Sequence, residues 1–377
     1  MEKLKTERLH SLDSLRAIMM MLGLVLHSAA TYSIDVGDWP INDPKAMSYS
    51  NDFIVGLIHS FRMPIFFLIA GFFGSMLFYE KTPLKMIKNR ISRVVYPFLV
   101  FLILLWPLML LTFGYTKSVF AGSHDPFAEV VSIFSSPFAF IPRHTIHLWF
   151  LYYLIIITIL TVLIAFQMKM FPRVRKEIIK IFKWMIQNPI RRLAFFPTLI
   201  FALYFVSEIT EVETAPFFFL NPISLIFYFV FYLIGWLLFK SKDVLPSFKT
   251  ADWWCAFIGT GLFITSFFYR DELNEIPLML ISALMIWSFV FGITGLFIRY
   301  GSNYSFKMRY ISDASYWVYL VHLPLTGIIP ALIMDLTIPA SFKCLLVFAI
   351  TTLICFVTYH YFVRTTFVGK FLNGRKY

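Results

Sequence analysis

Apolar runs of about 17–25 residues recur along the whole chain, and each is long enough to cross a bilayer as a helix. Ten are placed, at 12–33, 53–78, 94–114, 147–167, 194–209, 221–239, 253–269, 276–298, 312–333 and 341–362. A helix satisfies its own backbone groups in hydrocarbon, which makes it the natural form for such runs. The expected fold class is all-α integral membrane, about ten transmembrane helices in one embedded domain over residues 1–377. Composition agrees: the chain is 59% hydrophobic and 14% charged, with 45 phenylalanines, well outside soluble usage. Cys255, Cys344 and Cys355 all lie in apolar stretches. They read as small core hydrophobes, with neither a disulfide framework nor zinc spacing among them.

The net charge of +12 would suit a nucleic-acid binder, but its distribution excludes that reading. Basic residues gather in alternate connections: Lys81, Lys85, Lys88, Arg90 and Arg93 after the second run, and Lys169 through Arg192 after the fourth. Lys240, Lys242 and Lys249, then Arg299, Lys307 and Arg309, then Arg364, Lys370, Arg375 and Lys376 continue the series. The intervening connections are acidic, with Asp35, Asp38, Asp43 and Asp52, or Glu208, Glu211 and Glu213. This asymmetry is the positive-inside rule, and it places both termini in the cytoplasm. Lys3, Lys5 and Arg8 resemble the start of a secretory leader, but Asp13, Arg16 and His27 interrupt the apolar stretch behind them, so no cleavage is expected. Walker, Rossmann and metal-ligand motifs are absent from the sequence.

Chemistry must then reside in polar groups on the helices, where ionisable residues are expensive and mark function by default. Asp13 and Arg16 share a face at i, i+3. Arg16 and His27 are eleven residues apart, close to three turns, so they also share a face, separated by about 16 Å along the axis. Arg16 alone would pass as a snorkelling residue, and His27 alone as a helix–helix hydrogen bond. In the second run His59 lies at about the same depth below the outer boundary as His27, with Arg62 one turn deeper on the same face. Two histidines at one depth suggest a shared polar cavity. Arg90 and Arg93 stand one turn apart where the third run begins, an expected helix N-terminus suited to phosphate. His147 and Trp149 open the fourth run, where an aromatic belt would also account for Trp149. Ser315, Tyr319 and His322 share a face in the ninth.

The stretches "LDSLRAIMMMLGLVLHS", "FRMPIFFLIAGFF", Arg90-x-x-Arg93, "HLWFLYY" and "SYWVYLVHLPL", in that order over nearly the whole chain, resemble the membrane acyltransferase-3 family. Within it, "NDFIVGLIHSFRMPIFFLIAGFFGSMLF" and "PLKMIKNRISRV" are most similar to a branch that adds succinyl groups to osmoregulated periplasmic glucans. One departure is Ala70-Gly71-Phe72, where the family often has Ser-Gly-Phe. The resemblance implies a multi-pass bacterial inner-membrane enzyme, with no permanently bound cofactor or metal. It also implies a cytoplasmic acyl-CoA donor, succinyl-CoA or acetyl-CoA, and a glycan acceptor outside. On that reading Arg16, Arg90 and Arg93 hold the CoA phosphates, and Asp13 orients Arg16. His27 is general base or transient acyl carrier. Arg62, aided by His59, meets the oxyanion or a succinyl carboxylate, and His147, Trp149, Ser315, Tyr319 and His322 surround the substrate. Acetylation of lipopolysaccharide or exopolysaccharide sugars is the nearest alternative. A glycan transporter or flippase is the alternative without acyl transfer. Oligomeric state is not legible.

Overall fold

The computed structural model describes residues 9–35 and 37–374; Lys3, Lys5, Arg8, Arg375 and Lys376 lie outside them. Helices are α1 His10–Ala30, α2 Tyr49–Met76, α3 Pro83–Arg90, α4 Tyr96–Phe120, α5 Pro126–Ile133, α6 Trp149–Met170 and α7 Pro172–Gln187. They continue as α8 Pro189–Ser207, α9 Pro222–Lys240, α10 Asp252–Tyr269, α11 Glu275–Tyr300, α12 Phe306–Leu332, α13 Ala340–Thr358 and α14 Phe367–Asn373. No strand occurs among the described residues. The chain is a multi-pass membrane protein: nine helices among the described residues are long and apolar enough to cross a bilayer. A tenth, α10, lies beyond the 3₁₀ segment Lys242–Thr250 at a 66° bend.

Local sequence sets the helix starts. Asp125, Asn188 and Asn221 each cap a helix whose next residue is proline, and Thr82 does the same before Pro83. The side-chain oxygen takes an orphan backbone N–H while proline, lacking one, fits the first turn. The Thr82 cap overturns one expectation. Helix begins at Pro83 and runs through a π turn, Ile91–Val95, into α4 as one span ending at Phe120. Arg90 and Arg93 therefore sit inside a continuous helix, and the helix N-terminus expected beneath them is two turns away.

Contacts between connections sort the helix ends onto two faces. On the face where α1 begins, His10 meets Tyr304, Lys242 pairs with Glu80 at 3.5 Å, and Lys183 with Asp243 at 2.7 Å. On the far face Lys45 pairs with Asp335 at 2.9 Å and Arg270 with Glu211 at 2.8 Å. α1 sits centrally, packed on α2, α11, α12 and α13. α2 and α9 cross with backbones touching. A Cβ on Gly71 would fall on the Tyr232 carbonyl, 2.8 Å from its carbon, and one on Gly235 on the Leu68 carbonyl, 2.7 Å from its carbon. That reciprocal approach fixes α2, which carries His59 and Arg62, against the bundle. The three cysteines are free and buried.

A histidine and arginine candidate active site

α1 supplies the axis of the site. Arg16 and Asp13 pair at 3.6 Å near its start, and the Arg16 guanidinium lies 5.6 Å from the Phe73 ring centre on α2. Asp13 also borders a shallow cleft with Ser14, Asn303, Tyr304 and Arg309. One turn before His27 comes Gly23, and the Arg62 guanidinium rests on it. A Cβ at Gly23 would stand 2.8 Å from Arg62 Nη1. Glycine here makes room for a cation lying flat on the helix. Arg62 Nη2 approaches only the Met63 sulfur, at 3.5 Å, and buried Nη1 has no hydrogen-bond partner among the described residues. Tyr228 and Tyr319 are its electrostatic neighbours. An unpaired guanidinium at membrane depth is a strong demand for an anion or for water.

Three imidazoles converge one turn farther along α1. The His27 and His322 ring centres are 5.3 Å apart, as are those of His322 and His147. Proline explains how His147 is held. Pro324 in α12 lacks the N–H that would bond to the Leu320 carbonyl. His147 Nε2 takes that carbonyl at 3.1 Å and the Tyr319 carbonyl at the same distance. His322 Nδ1 lies 2.9 Å from the Val318 carbonyl and 2.8 Å from the Tyr319 carbonyl. Carbonyl oxygens only accept, so these two nitrogens carry the protons in the neutral rings, a tautomer assigned from the hydrogen bonding. His147 Nδ1 and His322 Nε2 are left as lone pairs, and they, like His27 Nδ1, are buried without a partner among the described residues. Tyr319 closes the arrangement by donating its hydroxyl to the His147 carbonyl at 3.0 Å.

The far side of His27 is roofed by Trp39, stacked at 5.1 Å with planes 19° apart. Trp39 belongs to the connection between α1 and α2 and donates its indole N–H to Thr31 Oγ1 at 3.0 Å. That connection is tied down by a fully buried ion pair, Lys343 Nζ to Asp43 Oδ2 at 2.9 Å. Lys343 also donates to the Met334 carbonyl, and Asp43 Oδ1 accepts from the Lys45 N–H.

The structure keeps some of the sequence-derived residues together and moves others. His27, Arg62, His147, Tyr319 and His322 form one cluster, with Arg16 and Asp13 toward the face where α1 begins. The cavity expected to join His27 to His59 is replaced by the His27–His322–His147 ring cluster. The His59 side chain is exposed, with Arg62 and Glu211 as electrostatic neighbours. Ser315 is buried with its hydroxyl donated to the Ser312 carbonyl at 3.0 Å, so it braces its own helix. Trp149 is buried against Tyr153 and Tyr228, which makes it core and not belt. Arg90 donates to the Ala70 carbonyl at 3.0 Å and lies by Gly74, so Arg90 and Arg16 flank the same turn of α2. Arg93 instead donates to the Leu372 carbonyl at 3.2 Å beside Gly374, at the C-terminal end of α14. A cation suits that negative helix end, and Arg93 docks α14. Trp39, Gly23 and the Lys343–Asp43 pair escaped the sequence reading, because the first two carry no charge and the pair spans 300 positions.

Nearly the whole chain, residues 9–360, matches the acyltransferase-3 profile, described as an acyltransferase domain. The chain belongs to the acyltransferase-3 family. Its relatives include glucans biosynthesis protein C of Escherichia coli O1:K1 / APEC, 27% identical over 349 residues, covering 86% of this chain and 84% of the relative. The protein of the same name in Escherichia coli strain K12 is 26% identical over the same coverage. That in Salmonella paratyphi B is 26% identical over 358 residues. No solved structure gives a significant match. An acyltransferase-3 member moves acyl groups, so the cluster on α1 is its candidate active site.

Proposed function

We propose that this acyltransferase moves an acyl group, succinyl in preference to acetyl, from acyl-CoA in the cytoplasm to a hydroxyl of a periplasmic glucan. The observation that carries the reading is that, within one turn of α1, buried His27 Nδ1 and buried Arg62 Nη1 both lack a hydrogen-bond partner among the described residues. The face with the basic connections is taken as cytoplasmic on the positive-inside rule. The acidic face is then periplasmic, and the membrane is the bacterial inner membrane. The relatives' printed name, glucans biosynthesis protein C, supports the glucan as acceptor.

Arg16 and Arg90, flanking one turn of α2, hold anionic groups of the CoA moiety at the cytoplasmic side. The donor arm lies along α1, and its thioester reaches His27, about 16 Å from Arg16 along the axis. His27 takes the proton from the acceptor hydroxyl as that oxygen attacks the thioester carbonyl. The tetrahedral intermediate collapses, the C–S bond breaks, and the CoA thiolate recovers the proton from the imidazolium. Arg62 stabilises the developing oxyanion or binds the distal carboxylate of a succinyl group. The alternative order, acyl transfer first to His27 and then to the sugar, uses the same residues.

Mass spectrometry of periplasmic glucans from cells with the wild-type protein, with His27→Ala and without the protein tests the reading. Glucans bearing an added succinyl mass only with wild type are expected. Full acylation by His27→Ala removes His27 from the chemistry, and an unchanged glucan profile in all three removes the acceptor.

A further inference from the structure

The connection after α6 reads as a basic loop, yet it folds as the sixteen-residue helix α7. At about 100° per residue, Arg175, Ile179, Phe182 and Ile186 fall on one side. Phe182 and Ile186 are buried there, with Phe182 edge-on to Phe196 of α8. Val174, Ile178, Ile181 and Trp184 fall on the neighbouring side. Each of these apolar side chains is between 40% and 55% exposed, with Trp184 also edge-on to Phe195 of α8 at 6.0 Å. Beyond that stripe come Arg173, Lys176, Lys180 and Lys183. Across α7 five basic residues stand against one acidic residue, Glu177. Lys183 reaches Asp243 at 2.7 Å, and Arg191 caps the end of the stripe, its guanidinium 4.3 Å from the Trp184 ring centre.

We infer that α7 is an interfacial anchor that binds anionic phospholipid of the leaflet at the face where α1 begins. Three features carry this. The stripe is exposed and mostly apolar, as an interfacial helix requires, with Glu177 within it paired to Lys180 at 3.9 Å. The tryptophan at its end is the residue type that settles at headgroup depth. The lysines and arginines flank the stripe, where headgroup phosphates would meet them. The helix is joined to membrane spans at both ends, α6 and α8, which hold it at the membrane surface. The inference does not depend on the acyl-transfer chemistry.

The test uses the full-length protein in nanodiscs of phosphatidylcholine with and without phosphatidylglycerol, the acyl chains of either lipid brominated in turn. Trp184 fluorescence is taken as the difference between wild type and Trp184→Phe. Quenching by brominated phosphatidylglycerol is expected to exceed that by the same fraction of brominated phosphatidylcholine. In Arg173→Gln/Lys176→Gln/Lys180→Gln that preference is expected to fall by roughly fivefold or more, while quenching by brominated phosphatidylcholine persists. Persistence shows that the helix is still folded on the bilayer. Equal quenching by both lipids in wild type overturns the anionic preference. No quenching by either overturns the membrane contact and assigns the stripe to a protein partner.

Discussion

Replacing Lys343 by methionine keeps most of the side-chain volume and removes the charge that faces Asp43. Both partners are essentially inaccessible to solvent, at 1% and 0% side-chain exposure, and 2.9 Å apart. Among the described residues the remaining carboxylate would keep the Lys45 N–H, at 2.9 Å. Breaking a buried pair in this way destabilises by about 3–5 kcal/mol, because a charge is stranded away from water. Entropy of unfolding scales with length, so for this chain the shift in melting temperature is on the order of 4–6 °C if the loss is global. If the loss is local, the connection at 31–48 opens first. Trp39 then leaves the His27 ring. Melting of detergent-purified protein and hydrogen exchange over 31–48 separate the two cases, and Lys343→Met/Asp43→Leu should recover much of the loss. A single variant with unchanged melting and unchanged protection of 31–48 would refute the view that this pair holds the roof over His27.

Gly23→Ala places a methyl 2.8 Å from Arg62 Nη1, the movable end of a long side chain. Melting should change little while glucan acylation falls roughly tenfold, as expected for a small misplacement of an electrostatic group; equal loss of both would make Gly23 a packing residue only. His144 lies outside the spans, edge-on to Trp106 at 4.8 Å, and its Nδ1 accepts the Ile146 N–H at 3.3 Å. Burial lowers its pKa below 6.5. The neutral ring therefore adds stability above the unfolded value, and that stability is lost as pH falls through the lower folded value. Trp106 fluorescence, taken as a difference from Trp106→Phe, should drop with a midpoint below 6.5 and not at all in His144→Gln. A midpoint at or above 6.5 contradicts the burial argument.

Much of this was legible from spacing. Length and apolarity announced the spans, and the eleven-residue interval put Arg16 and His27 on one face of α1. The cap and proline pairs at Thr82, Asn188 and Asn221 were equally readable. The first of them locates the helix start that moves Arg90 and Arg93 away from an N-terminus. What spacing does not carry is the rotation of one helix against another. The His59 side chain is exposed, and the ring beside His27 comes from His322, on a helix far along the chain. Trp39 lies in a connection with no period, and its position depends on the Lys343–Asp43 tie, a pairing between distant segments. In α7 the helical pattern was present, masked by the density of lysine and arginine around it.

The Gly71–Gly235 crossing also limits how this protein can change over time. A side chain added at either glycine meets a main-chain carbonyl of the other helix, and no substitution in the partner can remove a carbonyl. Gly74, one turn on, differs: its neighbours are the Tyr232 hydroxyl, at 2.5 Å from an added Cβ, and Arg90 Nη2, at 3.1 Å. An alanine there has an escape, since Tyr232→Phe clears the nearest atom. Screens for second-site suppressors should therefore rescue Gly74→Ala within α9 and return none in α9 for Gly71→Ala. The two helices are bound to a shared evolutionary fate at one pair of positions and free to drift at the next.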